Sequence, residues 1–562
     1  MEIVVRFVTK TVFPAVLSFF VAVWGFTQTF YNFSKCYGSM GEDVTRYLPQ
    51  KLPAPEGEIY LIDRAKLNSA DFVTATSLQG ITAQTRARVY IYDSVRIKYI
   101  QGYLEGRPDI TPVCFDNIWD IVDRCKADLA GSGYILYEAG NNPTINMAAT
   151  ACGVERWLMV EVSQAAKAEA HGLTLKRNLA AKSDGQYTES PEEIFDEYRG
   201  RLNNTFLLHQ NPGNGFARDY QIAVKAPCLY VREDDEAGVA FREKVFAFTR
   251  PNSMLFGWTS NEGAYVARAS KYGLNVIASD FCMNLSFMGG LPNEAALSQK
   301  NEARALQADP GKHYVAIVMS DGDNLQWFEG AFPSPGSHFQ KRQATDTSYK
   351  MSWTAPPLAA LMEPAVMRSV YESANENDHF VCGVSGIGYI HPSQYPAKFL
   401  NDFVNYTAYA MDKADMRVVA LLEEAKTPRF IWERTSLNPS LKYFAKNEYI
   451  DGGLIQCGDR YQGLGGRIYW VGDKPFISCG LSFWYGSDEG GSAPNEWIEQ
   501  IAAEINALPA SIHTEKGYTY LNVHPWSTNM DNLNYLVSLL GDGVELVTAE
   551  ELVTLVKDNV WH

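Results

Sequence analysis

The chain has no CxxC pair, no GxGxxG stretch, no P-loop lysine behind its glycines and no GxSxG. These absences argue against a zinc ribbon, a dinucleotide fold, a phosphate-cradling loop and an α/β-hydrolase nucleophile elbow. Its nine cysteines are scattered and odd in number, so neither a disulfide framework nor a zinc cluster is indicated. Those in apolar runs, Cys228, Cys382 and Cys479, read as small core residues. There is no short-period repeat and no low-complexity tract. Basic residues are outnumbered: the formal net charge is −16 over 562 residues, which disfavours the polyanionic partners nucleic acid and anionic membrane surface. After residue 30 no run is apolar enough to span a bilayer.

What is present is a folded chain. Hydrophobic residues make up 46% and charged residues 20%, and the length implies two or more domains. Aromatics reach 13%, with 12 Trp and 31 Tyr, which suits either an aromatic-rich core or flat apolar faces for sugar rings. Arg6 and Lys10 precede an apolar segment, Val12 to Phe26, so residues 1–30 read as a signal peptide or anchor and the protein as secreted or periplasmic.

Residues 57–250 alternate strand-like runs (58–63, 87–93, 133–139, 155–162) with helical patterns, an N-terminal α/β region. Residues 251–562 hold nine further apolar runs (253–258, 274–279, 314–319, 380–386, 417–422, 452–457, 475–484, 518–523, 544–549), several separated by helical stretches. The expectation is a C-terminal (β/α) barrel, regular or distorted. The residues after these runs are rich in acids, histidine and tryptophan, and in a parallel barrel they share one face, where active sites are built.

The densest of these strand ends is VAIVMSDGDNLQW, 315–327. If the backbone stays extended, Asp321 and Asp323 point the same way and can divide into one proton donor and one base, or hold a divalent cation. The triplet also reads as a turn, with Gly322 as the permissive residue. A haloacid-dehalogenase-type nucleophile is excluded by Asn324 and Leu325. Glu262, beside Trp258 and Asn261, reads as an acid with a raised pKa or as a first-turn helix residue. Asp280 and Asn284 are candidates for sugar hydroxyls, with a cap as the alternative for Asp280. His524 reads as base, ligand or structural residue, with Trp526 beside it.

One further strand end carries a resemblance. GIGYIHP, Gly386 to Pro392, resembles the signature of the GxGYxYP family at Gly386, Gly388, Tyr389 and Pro392, with His391 in place of the second tyrosine. SDGDNLQW, GWTSNEGAY and NVHPWS also look like this family. The resemblance implies a glycoside hydrolase with an N-terminal region and a catalytic C-terminal domain, and brings no catalytic residue with it.

The resulting expectation is an exported carbohydrate-active enzyme whose carboxylate pair is drawn from Glu262, Asp321 and Asp323. Trp258, Trp327, Tyr389 and Trp526 would be sugar platforms, and Asp280, Asn284, Asn324, His391 and His524 would bind hydroxyls. No metal or other cofactor is expected, and the partner is an oligo- or polysaccharide. The alternatives are a metal-dependent polysaccharide deacetylase, with Asp323 and His524 on the cation and Asp321 as base, and a non-catalytic glycan-binding protein.

Overall fold

The computed structural model describes residues 49–562 except 183–184, 260, 293–296, 302–305, 346–347 and 487–492. The expected signal or anchor at 1–30 lies outside the described residues, among which no helix is long and apolar enough to cross a membrane.

Three small parallel sheets come first. β1 (Gly57–Asp63), β2 (Val89–Tyr92) and β3 (Ile110–Phe115) lie in the order β2-β1-β3. β4 (Gly133–Tyr137), β5 (Leu158–Glu161) and β6 (Thr174–Asn178) form β5-β4-β6. β7 (Phe206–His209), β8 (Cys228–Leu229), β9 (Met254–Gly257) and β10 (Asn275–Ile277) form β10-β9-β7-β8. The helix Ser69–Ala83 is buried on all sides from Phe72 onward and joins the units, its Thr74 hydroxyl donating to the Met159 carbonyl of β5 (3.0 Å). That explains why it has no charged residue after Asp71, and why its buried Thr, Ser and Gln side chains bond to backbone carbonyls.

The barrel follows: β11 (His313–Met319), β12 (Met351–Ala355), β13 (Asp378–Cys382), β14 (Val418–Glu423), β15 (Gly452–Cys457), β16 (Ile468–Val471), β17 (Lys474–Phe483), β18 (Tyr518–Val523) and β19 (Val544–Val547). Seven parallel strands close on themselves in the order β12-β13-β14-β15-β17-β18-β11 and back to β12. β11 is shared: its first residues pair with β19 and its last two with β12. β16 pairs antiparallel on β17. β11, β12, β13, β15 and β18 are buried along their whole length, as strands covered on both faces must be. The α/β class and the distorted barrel agree with the sequence reading. One correction concerns 253–258 and 274–279, expected as barrel strands: they are β9 and β10 of the third N-terminal sheet.

That sheet docks on the barrel through the GIGYIHP segment. Tyr389 and Val276 of β10 exchange backbone hydrogen bonds, Tyr389 N–H to Val276 O at 2.7 Å and Val276 N–H to Tyr389 O at 3.2 Å. A Cβ on Gly388 would meet Asn275 Cβ at 2.8 Å and Ile277 Cδ1 at 3.0 Å. Gly386 has φ +143°, and a Cβ there would meet Thr407 Oγ1 at 2.4 Å. Gly388 lets its backbone approach β10, and Gly386 lets the segment pack on the Thr407 and Phe403 side chains. We expect Gly388→Ala to lower stability by about 1–3 kcal/mol, read as a lower denaturant midpoint, whereas Gly543→Ala, with open space around it, leaves the midpoint in place. Equal midpoints for the two variants would refute the docking role.

Candidate active site

The carboxyl ends of the barrel strands deliver Asp321 and Asp323 (after β11), Tyr389 and His391 (after β13), Glu424 (after β14), Tyr461 (after β15), Trp484 (after β17), and His524 and Trp526 (after β18). The third N-terminal sheet adds Trp258 and Glu262 beyond β9.

The DGD segment is not extended. Asp321 takes φ +65° and residues 322–323 form a turn, so the pair does not share a face by strand alternation. The turn reading of the sequence describes the backbone, and packing gives it a function. Gly322 N–H donates to Thr354 Oγ1 (2.8 Å), which itself donates to Met319 O (3.1 Å). A Cβ on Gly322 would stand 1.5 Å from Thr354 O. On the other flank, a Cβ on Gly383 would meet Asp323 Cβ at 2.8 Å. Ser320 Oγ donates to Asp321 Oδ2 (2.6 Å). Asn324 is spent locally, its Oδ1 accepting from Trp327 N–H (3.3 Å).

Three acids share one field. Burial pushes the Asp323 carboxyl well above the usual carboxylate range, and Asp321 and Glu262 push the same way. The Tyr461 hydroxyl is raised by burial and then by the charges of Asp321, Asp323 and Glu262. Tyr389 donates its hydroxyl to Glu262 Oε1 at 2.7 Å. Glu262 opens the helix Glu262–Lys271, as its first-turn reading expects.

Aromatic rings wall the mouth. Trp258 stacks on Tyr389 at 6.2 Å and 27°. Opposite, Trp484 lies flat on the His524 ring (3.5 Å, 2°) and meets Tyr461 edge-on at 5.4 Å. Trp526 is 41% exposed and rests edge-on against Trp327 at 5.9 Å. The sequence reading missed Tyr461 and Trp484, although the same strand-end rule points to both.

Other candidates have structural duties. Asn284, expected to bind hydroxyls, is buried, and its amide clamps β2: Oδ1 accepts from Ile91 N–H (2.8 Å) and Gln79 Nε2 (2.7 Å), and Nδ2 donates to Ile91 O (2.8 Å). Trp327 is buried and backs Trp526 instead of facing a ligand. His391 is buried beneath Tyr389 (5.6 Å, 74°), and burial depresses its pKa. Asp280 is largely buried in the third unit, its carbonyl accepting from Gln210 and Asn214 (both 2.8 Å). His524 Nδ1 is 3.0 Å from Ser527 Oγ. Ser385 is spent: its hydroxyl donates to Ile390 O (2.8 Å) and accepts from Leu422 N–H (3.0 Å). Among the described residues no three His, Cys, Asp or Glu side chains converge as a metal site would need.

Below this rim Glu423 is fully buried, and burial lifts its pKa to about 8 although Ser393 donates both its N–H (2.7 Å) and hydroxyl (2.6 Å). A raised folded pKa means its stabilising contribution is complete below the unfolded value and is lost as pH climbs towards 8. Glu423→Gln removes that slope. Its stability advantage over the wild type should grow between pH 5 and 8 by roughly 1.4 kcal/mol per pH unit at most, measured by denaturant unfolding. A pH-independent difference would contradict the burial.

Comparison with known proteins adds the following. Three family models match: residues 311–557 "GxGYxYP putative glycoside hydrolase C-terminal domain", 204–290 "GxGYxYP third domain" and 132–201 "GxGYxYP_N second domain". No curated protein matches the chain. A crystal structure of a putative hydrolase from Bacteroides thetaiotaomicron is 22% identical, with a TM-score of 0.79 over 91% of this chain and 97% of that one; this likeness is one of fold.

Proposed function

The chain belongs to the GxGYxYP family, and from its geometry we propose that it hydrolyses glycosidic bonds with Asp323 as the acid and Glu262 as the opposing carboxylate. One observation carries this: a desolvated carboxyl, Asp323, next to two further acids at a mouth walled by Trp258, Tyr389, Tyr461 and Trp484. Burial and like charge keep Asp323 protonated, so it can give its proton to the leaving oxygen as the C1–O bond breaks. Glu262, held by the Tyr389 hydroxyl, is stabilised as the anion. It takes a proton from the attacking water, or bonds to C1 itself before water releases the sugar, and the anomer produced distinguishes the two. Asp321 supplies the negative field that holds the Asp323 proton. Trp258 and Trp526 offer flat faces to sugar rings.

A deacetylase would need Asp323 and His524 to share a cation with a third ligand, and the described residues supply no such group. The basic and then apolar sequence of residues 1–30 supports export, which fractionation of cells expressing the full chain checks.

A panel of aryl glycosides and glycans identifies the substrate. On it, Asp323→Asn and Glu262→Gln should each lower kcat about 10²–10⁴-fold, with circular dichroism unchanged. Turnover should fall on the alkaline side, where Asp323 loses its proton, and Asp323→Asn should abolish that limb. Undiminished turnover in Asp323→Asn would refute the assignment. Binding without turnover in the wild type would leave a glycan-binding protein instead.

A further inference from the structure

A second cavity, of about 400 Å³, opens where the three N-terminal sheets turn their carboxyl ends towards one another. Arg64 follows β1, Tyr137 ends β4, Glu161 ends β5, and Phe216 stands beyond β7. The carboxyl edge of parallel strands is where open α/β sheets receive ligands, and the volume suits one or two sugar rings. Phe72, Phe216 and Phe281 form a continuous aromatic wall, Phe72–Phe216 at 4.7 Å and Phe216–Phe281 at 5.6 Å, with Phe281 52% exposed.

Two features give this cleft a ligand. The first is charge. Arg64 lies over the Phe72 ring at 4.2 Å and donates one Nη1 hydrogen bond to Leu67 O (2.8 Å), and among the described residues no carboxylate is within ion-pair distance of it. Glu161 lines the same cleft, but its Oε2 already accepts from Ser163 N–H (2.9 Å). An unneutralised guanidinium in an aromatic cleft, on a chain of net charge −16, selects for an anion on an otherwise apolar-faced ring. The second is position. Phe281 N–H donates to Gln326 Oε1 (2.7 Å), three residues beyond Asp323, and Gln326 precedes Trp327, which supports the exposed Trp526. Phe281, at the edge of the cleft, is therefore tied to the segment that carries Asp323.

We propose that this cleft is a distal glycan subsite that binds an anionic sugar, with Arg64 on its carboxylate or sulfate and Phe216 and Phe281 against its ring. The acids at the mouth repel such a sugar, so the anionic residue sits in the cleft while an uncharged one occupies the barrel. The role as a subsite rests on the hydrolase reading above; the binding does not.

The experiment uses the full chain and isothermal titration with tetra- to hexagalacturonate, sulfated oligosaccharides of the same length, and neutral cello- and maltooligosaccharides. We expect saturable binding of an anionic series, equal in the wild type and Asp323→Asn. It should weaken about tenfold or more in Arg64→Ala, partly in Arg64→Lys, and severalfold in Phe281→Ala. Turnover of small aryl glycosides should stay unchanged in Arg64→Ala. Whichever anionic series binds more tightly identifies the group as carboxylate or sulfate. No saturable anionic binding, binding that Arg64→Ala does not move, or neutral oligosaccharides bound as tightly as anionic ones would overturn the proposal. Turnover surviving in Asp323→Asn would sink the hydrolase reading and leave the cleft standing. The reverse pattern would sink only the cleft.

Discussion

Gly322 has no room for a side chain, and the candidate site depends on that contact. Its Cα faces the Thr354 carbonyl so closely that a Cβ would fall 1.5 Å from the oxygen. The Thr354 hydroxyl ties the end of β11 to the turn by bonding Met319 O and Gly322 N–H at once. Gly383 presses from the other side. Wedged between the ends of two strands, the turn has one way out, towards the mouth of the barrel, and Asp321 accepts a left-handed backbone that costs a residue with a Cβ about 1 kcal/mol or more. That strain stays in place because the hydroxyl bridge and two glycine contacts over-determine it.

The second constraint makes the site composite. Glu262 and Trp258 belong to the third N-terminal unit, and they reach the barrel because β10 adds to the backbone of Tyr389. The family match divides near there, one model ending at residue 290 and the next starting at 311, so a cut between them separates Glu262 from Asp321 and Asp323. Gly388 of the GIGYIHP signature lets the segment's backbone meet β10, and that contact brings Tyr389, whose hydroxyl bonds Glu262, against the third unit. Replacing the second tyrosine of the signature by His391 is tolerable because that position is buried beneath Tyr389 and is not presented at the mouth.

Much of this was legible in the sequence, for physical reasons. Strands covered on both faces write themselves as apolar runs, so β11, β14, β15 and β18 stand out, and the rule that sites gather at carboxyl ends points to Asp321, Asp323 and Trp526 at the barrel rim and to Glu262 beyond β9 as candidates. β12 did not stand out, because MSWTA hides two hydroxyls that are satisfied internally, Ser352 by Ala549 N–H (2.9 Å) and Thr354 by the turn at Gly322. β6 is mostly exposed and reads as a polar loop. Sheet membership of β9 and β10 depends on their partners β7 and β8, not on their own residues. Asn284 misled for a related reason: a buried amide and a hydroxyl-binding amide are the same residue in a sequence, and only the approach of Ile91, 193 positions away, decides between them. Tyr461 was missed because Arg460 and Tyr461 both take positive φ, a kink that sets the ring edge-on against Trp484.

The buried acids of the fold differ in the partners they are given. Asp378 lies in the core against Arg342 (2.5 Å), neither side chain exposed, and Glu329 is gripped by Arg96 (2.5 Å) across the junction of barrel and N-terminal region. A buried ion pair loses several kcal/mol when one member goes, so these arginines are structural. Asp323 is desolvated too, yet the charged neighbours that act on it, Asp321 and Glu262, are both acids. Such an arrangement sets burial and repulsion in the same direction and makes the anion costly, as it does at the buried Glu363 beside Glu329. Proton donation does have a use for it, since a carboxyl denied a counter-charge keeps its proton until a developing oxyanion takes it. Asp378 and Glu329 are each given a cation, whereas the charged neighbours of Asp323 are acids, and this contrast is what favours Asp323 as the proton donor in the proposed reaction.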